Sequence, residues 1–110
     1  MNICLGTDSL ASSPHSRRGP ASLNMFAEMR EFARRHPTVG SDAILRMATV
    51  NGARALRRSG RLGELSSGAQ ADLIAVPYTG SPRSASRAAV MHEGPVRASM
   101  IGGRWAVAPR

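Results

Sequence analysis

The chain has 110 residues, which is enough for one small domain that buries roughly two-thirds of its unfolded surface. Hydrophobic residues make up 42% of it and charged residues 20%, as in globular proteins, and no apolar run approaches the ~20 residues that a transmembrane helix needs. The formal net charge is +8 and every basic residue is arginine, but the arginines are dispersed without interleaved aromatics, which argues against a nucleic-acid interface.

The redox and targeting signals are simple. Cys4 is the single cysteine, so an internal disulfide is impossible and a reducing compartment is expected. The first residues lack the basic region and apolar stretch of a secretory signal. The sequence therefore predicts a cytoplasmic chain that does not enter a membrane.

The first predicted element is a short strand over residues 2–7, where an apolar run is typical of a strand that is buried on both faces in a parallel sheet. Residues 12–22 are rich in Ser, Pro and Gly and predict a surface loop. The strand has no partner strand in its own half of the chain, although isolated strands are not stable. We therefore expect a longer protein with further strands upstream.

Two helices follow. The first is predicted to begin after a cap at Ser22, because apolar residues then recur at helical spacing, and to end near His36, which precedes a proline. Ser41 and Asp42 predict the start of the second, which continues to about residue 55. Gly52 within it predicts a close approach to a neighbouring element.

The second half of the chain is punctuated by glycines and reads mainly as strands. Turns are predicted at Gly60, Gly63 and Gly68. A strand over residues 72–76 ends at a proline, and a short helix over residues 85–91 follows it. Two last strands, 96–101 and 104–107, flank a Gly-Gly pair that predicts a tight hairpin.

Taken together, these stretches resemble the C-terminal part of metal-dependent amidohydrolases, in the branch of the cytosine deaminase-like and chlorohydrolase-like enzymes. The matching stretches are "LGTDSLAS" (5–12), "LNMFAEMR" (23–30), "ILRMATVNGARAL" (44–56), "GRLGELSSGAQADLIAV" (60–76) and "VRASMIGGRWAV" (96–107). The resemblance implies an α/β fold: a fragment of a (β/α)8 barrel with the active site at its C-terminal mouth, and part of a flanking small β-sandwich. Residues 1–56 would be the last barrel strand and the terminal helices, and residues 57–110 the sandwich strands.

Asp8 is the candidate site residue. By the resemblance it occupies the position of the metal-binding, catalytic aspartate, where a carboxylate just past a strand end can hold a zinc or iron ion and accept a proton from metal-bound water. Without the resemblance, an aspartate after a strand is more often a turn former or a helix cap. Ser9 and Ser12 lie nearby and can contact a substrate, but local hydrogen bonds in a loop are the simpler interpretation.

The other polar residues of the matching stretches are interpreted as structural. Thr49 and Asn51 are predicted to make side-chain hydrogen bonds that seat the second helix, and Asp72 belongs to the sandwich and receives no catalytic role. The three histidines, His15, His36 and His92, are not spaced as a metal-binding pair, and the resemblance places the family's histidine ligands upstream of Met1. This chain alone is therefore expected to bind no metal.

The predicted function is that of the longer parent protein: hydrolysis of a non-peptide C–N bond, such as deamination of a nucleobase-like cyclic small molecule, or of a C–Cl bond, with a divalent metal. The 110-residue chain alone is expected to be inactive. Two alternatives remain open, namely a small basic nucleic-acid-binding module and a non-catalytic partner that completes a barrel supplied by a second polypeptide.

Overall fold

The structure is a computed structural model that describes residues 1–8 and 23–110. Its order of elements is α1 (Met25–Arg35), α2 (Ser41–Ala48), α3 (Val50–Ala55), β1 (Leu73–Ala75), a 3-10 turn (Pro82–Ser84), α4 (Ala85–Val90), β2 (Ala98–Ile101) and β3 (Arg104–Val107). The chain is thus α/β, with a helical first half and a small antiparallel sheet in the second half, as the sequence predicts at this coarser level.

The N-cap of α1 lies two residues after the predicted cap. Ser22 lies outside the residues that the structure describes, and the N-cap is Asn24, whose side-chain oxygen accepts hydrogen bonds from the backbone N–H groups of Phe26 (2.9 Å) and Ala27 (3.4 Å). The helix ends as predicted at His36, before the proline.

The second predicted helix is divided at Thr49. Its backbone (φ −128°, ψ −96°) is not helical, and its hydroxyl donates to the Leu45 carbonyl oxygen at 2.8 Å. Threonine side chains compete for backbone groups in this way, and here the result is two helices, α2 and α3, instead of one. The cap is Gly40, so the predicted capping residue, Ser41, is instead the first residue of α2, while Asp42 lies in the first turn as expected.

The buried core lies between the consecutive helices α1 and α2 and the more distant helix α4. Met29 of α1, Ile44 of α2 and Val90 of α4 form one apolar cluster, and Ile44 and Val90 are fully buried. Leu5 and Phe26 are among the partly buried side chains that pack against this cluster. The chain therefore returns from the sheet region to the helices through α4.

The sheet has the order β1-β2-β3, with both pairs antiparallel. Gly102 and Gly103 have φ values of +55° and +79°, which is the geometry of a two-residue hairpin turn with positive φ at both positions. The predicted hairpin is therefore confirmed. Large apolar side chains of the sheet remain exposed, among them Ile74, Ile101 and Trp105.

The predicted strand over residues 2–7 is not formed. Residues 1–8 carry no regular secondary structure, and Ile3 and Cys4, expected to be buried, are exposed. The reason is that a strand requires a partner to pair with, and the sheet of the described residues lies elsewhere in the chain. None of the described helices is long and apolar enough to cross a membrane.

The close approach predicted for Gly52 is also wrong. A Cβ atom added there would meet nothing within 4 Å. Close approach occurs instead at Gly63, where an added Cβ atom would lie 2.8 Å from the carbonyl carbon and oxygen of Thr49. The backbone of the turn after α3 thus packs directly on the break between α2 and α3.

Candidate active site

Asp8 lies at the end of a segment, residues 1–8, that is attached to the α2–α3 junction. The Leu5 N–H donates to the carbonyl oxygen of Met47 at 2.9 Å, and the Leu5 side chain is half-buried against the helical core. Only Gly6 and Thr7 separate Leu5 from Asp8. Asp8 is therefore the exposed last residue of a short segment that Leu5 attaches to the helices.

Two asparagines make the other connections between this segment and the junction. The side-chain amide of Asn51 donates to the Ile3 carbonyl oxygen at 2.8 Å, and the side-chain amide of Asn2 donates to the Asn51 carbonyl oxygen at 2.9 Å. The side-chain hydrogen bond predicted for Asn51 connects its helix to another segment, whereas the Thr49 hydroxyl bonds to Leu45 within the same stretch and marks the break between α2 and α3. Sequence reasoning missed Asn2, for which the only signal is an asparagine immediately before an apolar run.

Asp72, for which no catalytic role is predicted, makes hydrogen bonds within the sheet region. Its Oδ1 atom accepts from the Gly102 N–H at 2.6 Å, and both of its carboxylate oxygens accept from the Gln70 side chain. Asp72 therefore ties the start of β1 to the hairpin turn.

The two histidines in the described part of the chain, His36 and His92, do not form a ligand set with Asp8. His15, like Ser9 and Ser12, lies outside the described residues. His36 is exposed at the end of α1, and its ring lies 4.5 Å from that of Phe32. His92 is half-buried with its ring 5.0 Å from that of Phe26, and its Nε2 atom is buried without a hydrogen-bond partner in the described part of the chain.

A metal ion is not accommodated by these residues alone. Across residues 1–8 and 23–110, no three His, Cys, Asp or Glu side chains form a group that could hold one. Catalytic zinc sites use three protein ligands and an open position, whereas Asp8 supplies a single carboxylate. The described residues therefore do not form a complete catalytic zinc site.

The main charge cluster and the main surface groove belong to the helices and not to Asp8. Glu31 accepts hydrogen bonds from Arg34 and Arg35 on the exposed face of α1, and these two guanidinium groups lower the pKa of its carboxyl to about 2. An open groove of about 590 Å³ lies between α1, α2 and α4, and Glu31 and Arg34 line it, whereas Asp8 does not. This groove is consequently not the candidate site.

Comparison with known proteins identifies the class. Residues 1–106 match the amidohydrolase family, and the chain belongs to that family. Over 83 residues it is 45% identical to a 5-methylthioadenosine/S-adenosylhomocysteine deaminase from Acetivibrio thermocellus, an alignment that covers 69% of this chain and 18% of that protein. A deaminase of the same name from Syntrophobacter fumaroxidans is 44% identical over 85 residues, which cover 71% of this chain and 18% of that protein.

A solved structure supports the same assignment. The chain is similar to an adenosine deaminase from Xanthomonas campestris, crystallised with bound zinc, with a TM-score of 0.75 and 28% sequence identity over 99% of this chain and 26% of that one. The chain thus spans about a fifth of the length of the curated relatives it matches, and about a quarter of this structure.

Proposed function

We propose that this chain supplies one carboxylate ligand, Asp8, to the metal centre of an amidohydrolase that deaminates a nucleobase-like small molecule by hydrolysis of a C–N bond. The observation that carries the proposal is the match of residues 1–106 to the amidohydrolase family, with Asp8 at the end of the segment anchored on α2 and α3. The two deaminases that the chain resembles act, by their names, on adenine-containing nucleosides, and the proposed substrate belongs to that class.

The architecture proposed for the whole protein is a (β/α)8 barrel in which residues 2–7 are the last strand and Asp8 follows its end. Residues 1–56 would then be the end of the barrel and residues 57–110 a part of the flanking sandwich. The exposure of Ile3 and Cys4 supports this proposal, because both are residue types that are usually buried. So does the exposed Trp105 of the three-stranded sheet.

The metal, zinc or iron, would supply a water activated for attack at neutral pH. On this chain, Asp8 is the group proposed to hold the ion and to carry a proton. Since the described residues do not compose a metal site, the remaining ligands would come from elsewhere in the protein. A cytoplasmic location stays a prediction.

The test is a chimera. The segment of the Acetivibrio thermocellus deaminase that matches this chain is replaced by residues 1–110, and the zinc content and the deamination of 5-methylthioadenosine are measured. We expect a zinc-containing, active chimera that loses both properties on Asp8→Asn. Retention of zinc and activity by the Asp8→Asn chimera would contradict the proposal.

One of the earlier alternatives is that this chain completes a barrel whose other strands belong to a second polypeptide. In that case the same surfaces of this chain would contact the barrel, and Asp8 would have the same position. This alternative differs only in whether the other strands are covalently attached. The basic nucleic-acid-binding module is not favoured by any described contact, and it predicts an affinity for DNA that falls steeply with salt.

A further inference from the structure

We propose that Asn51 and Asn2 form a reciprocal clamp that positions the Asp8 carboxylate, so that both are positioning residues for the site. The role given to Asp8 rests on the proposed function, whereas the clamp itself rests on the hydrogen bonds between residues 1–8 and the α2–α3 junction. The two claims can therefore fail separately.

The two hydrogen bonds of the clamp join residues 1–8 to α3, and each element donates one of them. Asn51 donates from its side chain to the backbone of the segment, at Ile3, with an Nδ2–O distance of 2.8 Å. Asn2 donates from its side chain to the backbone of α3, at Asn51, with an Nδ2–O distance of 2.9 Å. Each asparagine thus satisfies a carbonyl group of the other element, and neither bond can be replaced by an apolar residue of similar size.

The clamp supplies two of the connections that join residues 1–8 to the helices in the described part of the chain. Residues 1–8 pair with no strand in the described part of the chain, and Ile3 is 45% exposed. Apolar burial is limited mainly to Leu5, whose N–H makes the third connecting bond, to Met47. The two side-chain hydrogen bonds thus act together with Leu5 to fix the start of the segment, and only Gly6 and Thr7 follow before Asp8.

The surface that receives the clamp is itself fixed. Asn51 lies in the first turn of α3, directly after the break at Thr49. That break is held from one side by the Thr49 hydroxyl bond to Leu45 and from the other by the tight packing of Gly63. The α2–α3 junction is therefore a fixed support against which the position of residues 1–8 is set.

The substitution that tests the clamp is Asn51→Asp. Aspartate has the same shape, but at pH 7 its carboxylate has no donor and repels the Ile3 carbonyl oxygen. Below its ordinary pKa of about 3.9, the protonated carboxyl can donate again. Asn2→Asp makes the same change on the other side, so a folding defect in one variant does not decide the result.

The measurement is amide hydrogen exchange by NMR on the full 110-residue chain. In Asn51→Asp and in Asn2→Asp we expect the protection of the Leu5 N–H to fall roughly tenfold at pH 7, which corresponds to about 1.4 kcal/mol, and the Asp8 amide resonance to shift. At pH 3 the protection of Leu5, relative to that of the unsubstituted chain at the same pH, should return.

The matched control is Asn24→Asp. It makes the same change of charge, but at the N-cap of α1, where aspartate caps as well as asparagine does. It should leave Leu5 and Asp8 unchanged, and protected amides in α1 report that each variant is folded.

Leu5 protection and an Asp8 resonance that are the same in both clamp variants as in the unsubstituted chain would overturn the proposal. A failure of the metal-ligand role would appear in a different experiment, as zinc retained by the Asp8→Asn chimera. It would not change the expected loss of Leu5 protection in the clamp variants.

Discussion

Gly63 lies against Thr49 so closely that any side chain at position 63 would overlap the Thr49 backbone. An added Cβ atom would be 2.8 Å from the carbonyl carbon and from the carbonyl oxygen, and Gly63 has φ +76°, a conformation that other residues rarely adopt. This contact holds the turn after α3 on the break between α2 and α3. The candidate site depends on it, because the same break carries Asn51.

Gly63→Ala should therefore destabilise the chain by about 2–4 kcal/mol, the sum of the backbone strain and the overlap. Urea unfolding followed by circular dichroism measures it. The matched control is Gly68→Ala, since Gly68 has φ +84° but open space around it, so that only the backbone strain of about 1–2 kcal/mol applies. Equal losses in the two variants would contradict the importance of the contact.

Asp72→Ala should lower the free energy of unfolding by about 1–2 kcal/mol, because the Gly102 N–H loses a carboxylate acceptor at the hairpin turn. Asp72→Asn keeps an oxygen acceptor and should lose less. Urea unfolding of the two variants checks this order. An unchanged stability of Asp72→Ala would show that this bond does not hold the hairpin to the start of β1.

Glu31 gives a pH dependence of defined sign. Its folded pKa of about 2 lies below the ordinary value of 4.5, so its ion pairs contribute stability that is complete above about pH 4.5 and is lost as the pH falls towards 2. Glu31→Gln should reduce stability slightly at pH 7 and less at pH 2, where about half of the carboxyl is protonated, and the difference at pH 7 should shrink in 1 M salt, because the pairs are exposed.

Thermal unfolding between pH 2 and pH 7 measures this dependence. Glu28→Gln is the control, since it removes another carboxylate from α1 and no ion pair among the described residues includes Glu28. A pH-independent effect of Glu31→Gln would contradict the assignment.

The chain alone, supplied with zinc or iron, should show no deamination of aminated purines, pyrimidines or triazines. The described residues offer one candidate ligand, and one carboxylate does not hold a catalytic metal. An assay by ammonia release checks this, with the Acetivibrio thermocellus deaminase as the positive control. Measurable turnover that Asp8→Asn abolishes would show that the chain contains a complete site.

The elements that the sequence predicted well are those specified by local chemistry. The end of α1 before Pro37, the strand that ends before Pro77 and the hairpin at Gly102 and Gly103 all depend on backbone restrictions that a few residues determine. Such features do not require knowledge of distant parts of the chain, and all three are found in the structure.

The errors concern features that depend on partners. The strand over residues 2–7 and the close approach at Gly52 were inferred from residue types that are usually buried, but burial needs a neighbour, which the described structure does not provide for either. The division of the second helix at Thr49 was missed because threonine is tolerated within helices. The structure shows there a side-chain hydrogen bond to Leu45 together with the packing of Gly63, a residue from a later turn, on the Thr49 backbone.

The candidate site was predictable only through the resemblance. A lone aspartate after an apolar run has no spacing that distinguishes a metal ligand from a turn former. The pairing of Asn2 with Asn51 joins residues that lie far apart in the sequence, so no local pattern indicates it. The resemblance is the basis on which Asp8 is proposed as a metal ligand, and the three-dimensional contacts show how residues 1–8 are attached to the helices.

The most direct test of the central claim is the metal content of the chimera with the Acetivibrio thermocellus deaminase, compared between Asp8, Asp8→Asn and the control Asp72→Asn. We expect Asp8→Asn to lose most of its zinc and at least ~100-fold of its turnover, more than is usual for the partners of a ligand. Asp72→Asn should keep both. Full zinc occupancy and unchanged turnover in the Asp8→Asn chimera would contradict the account.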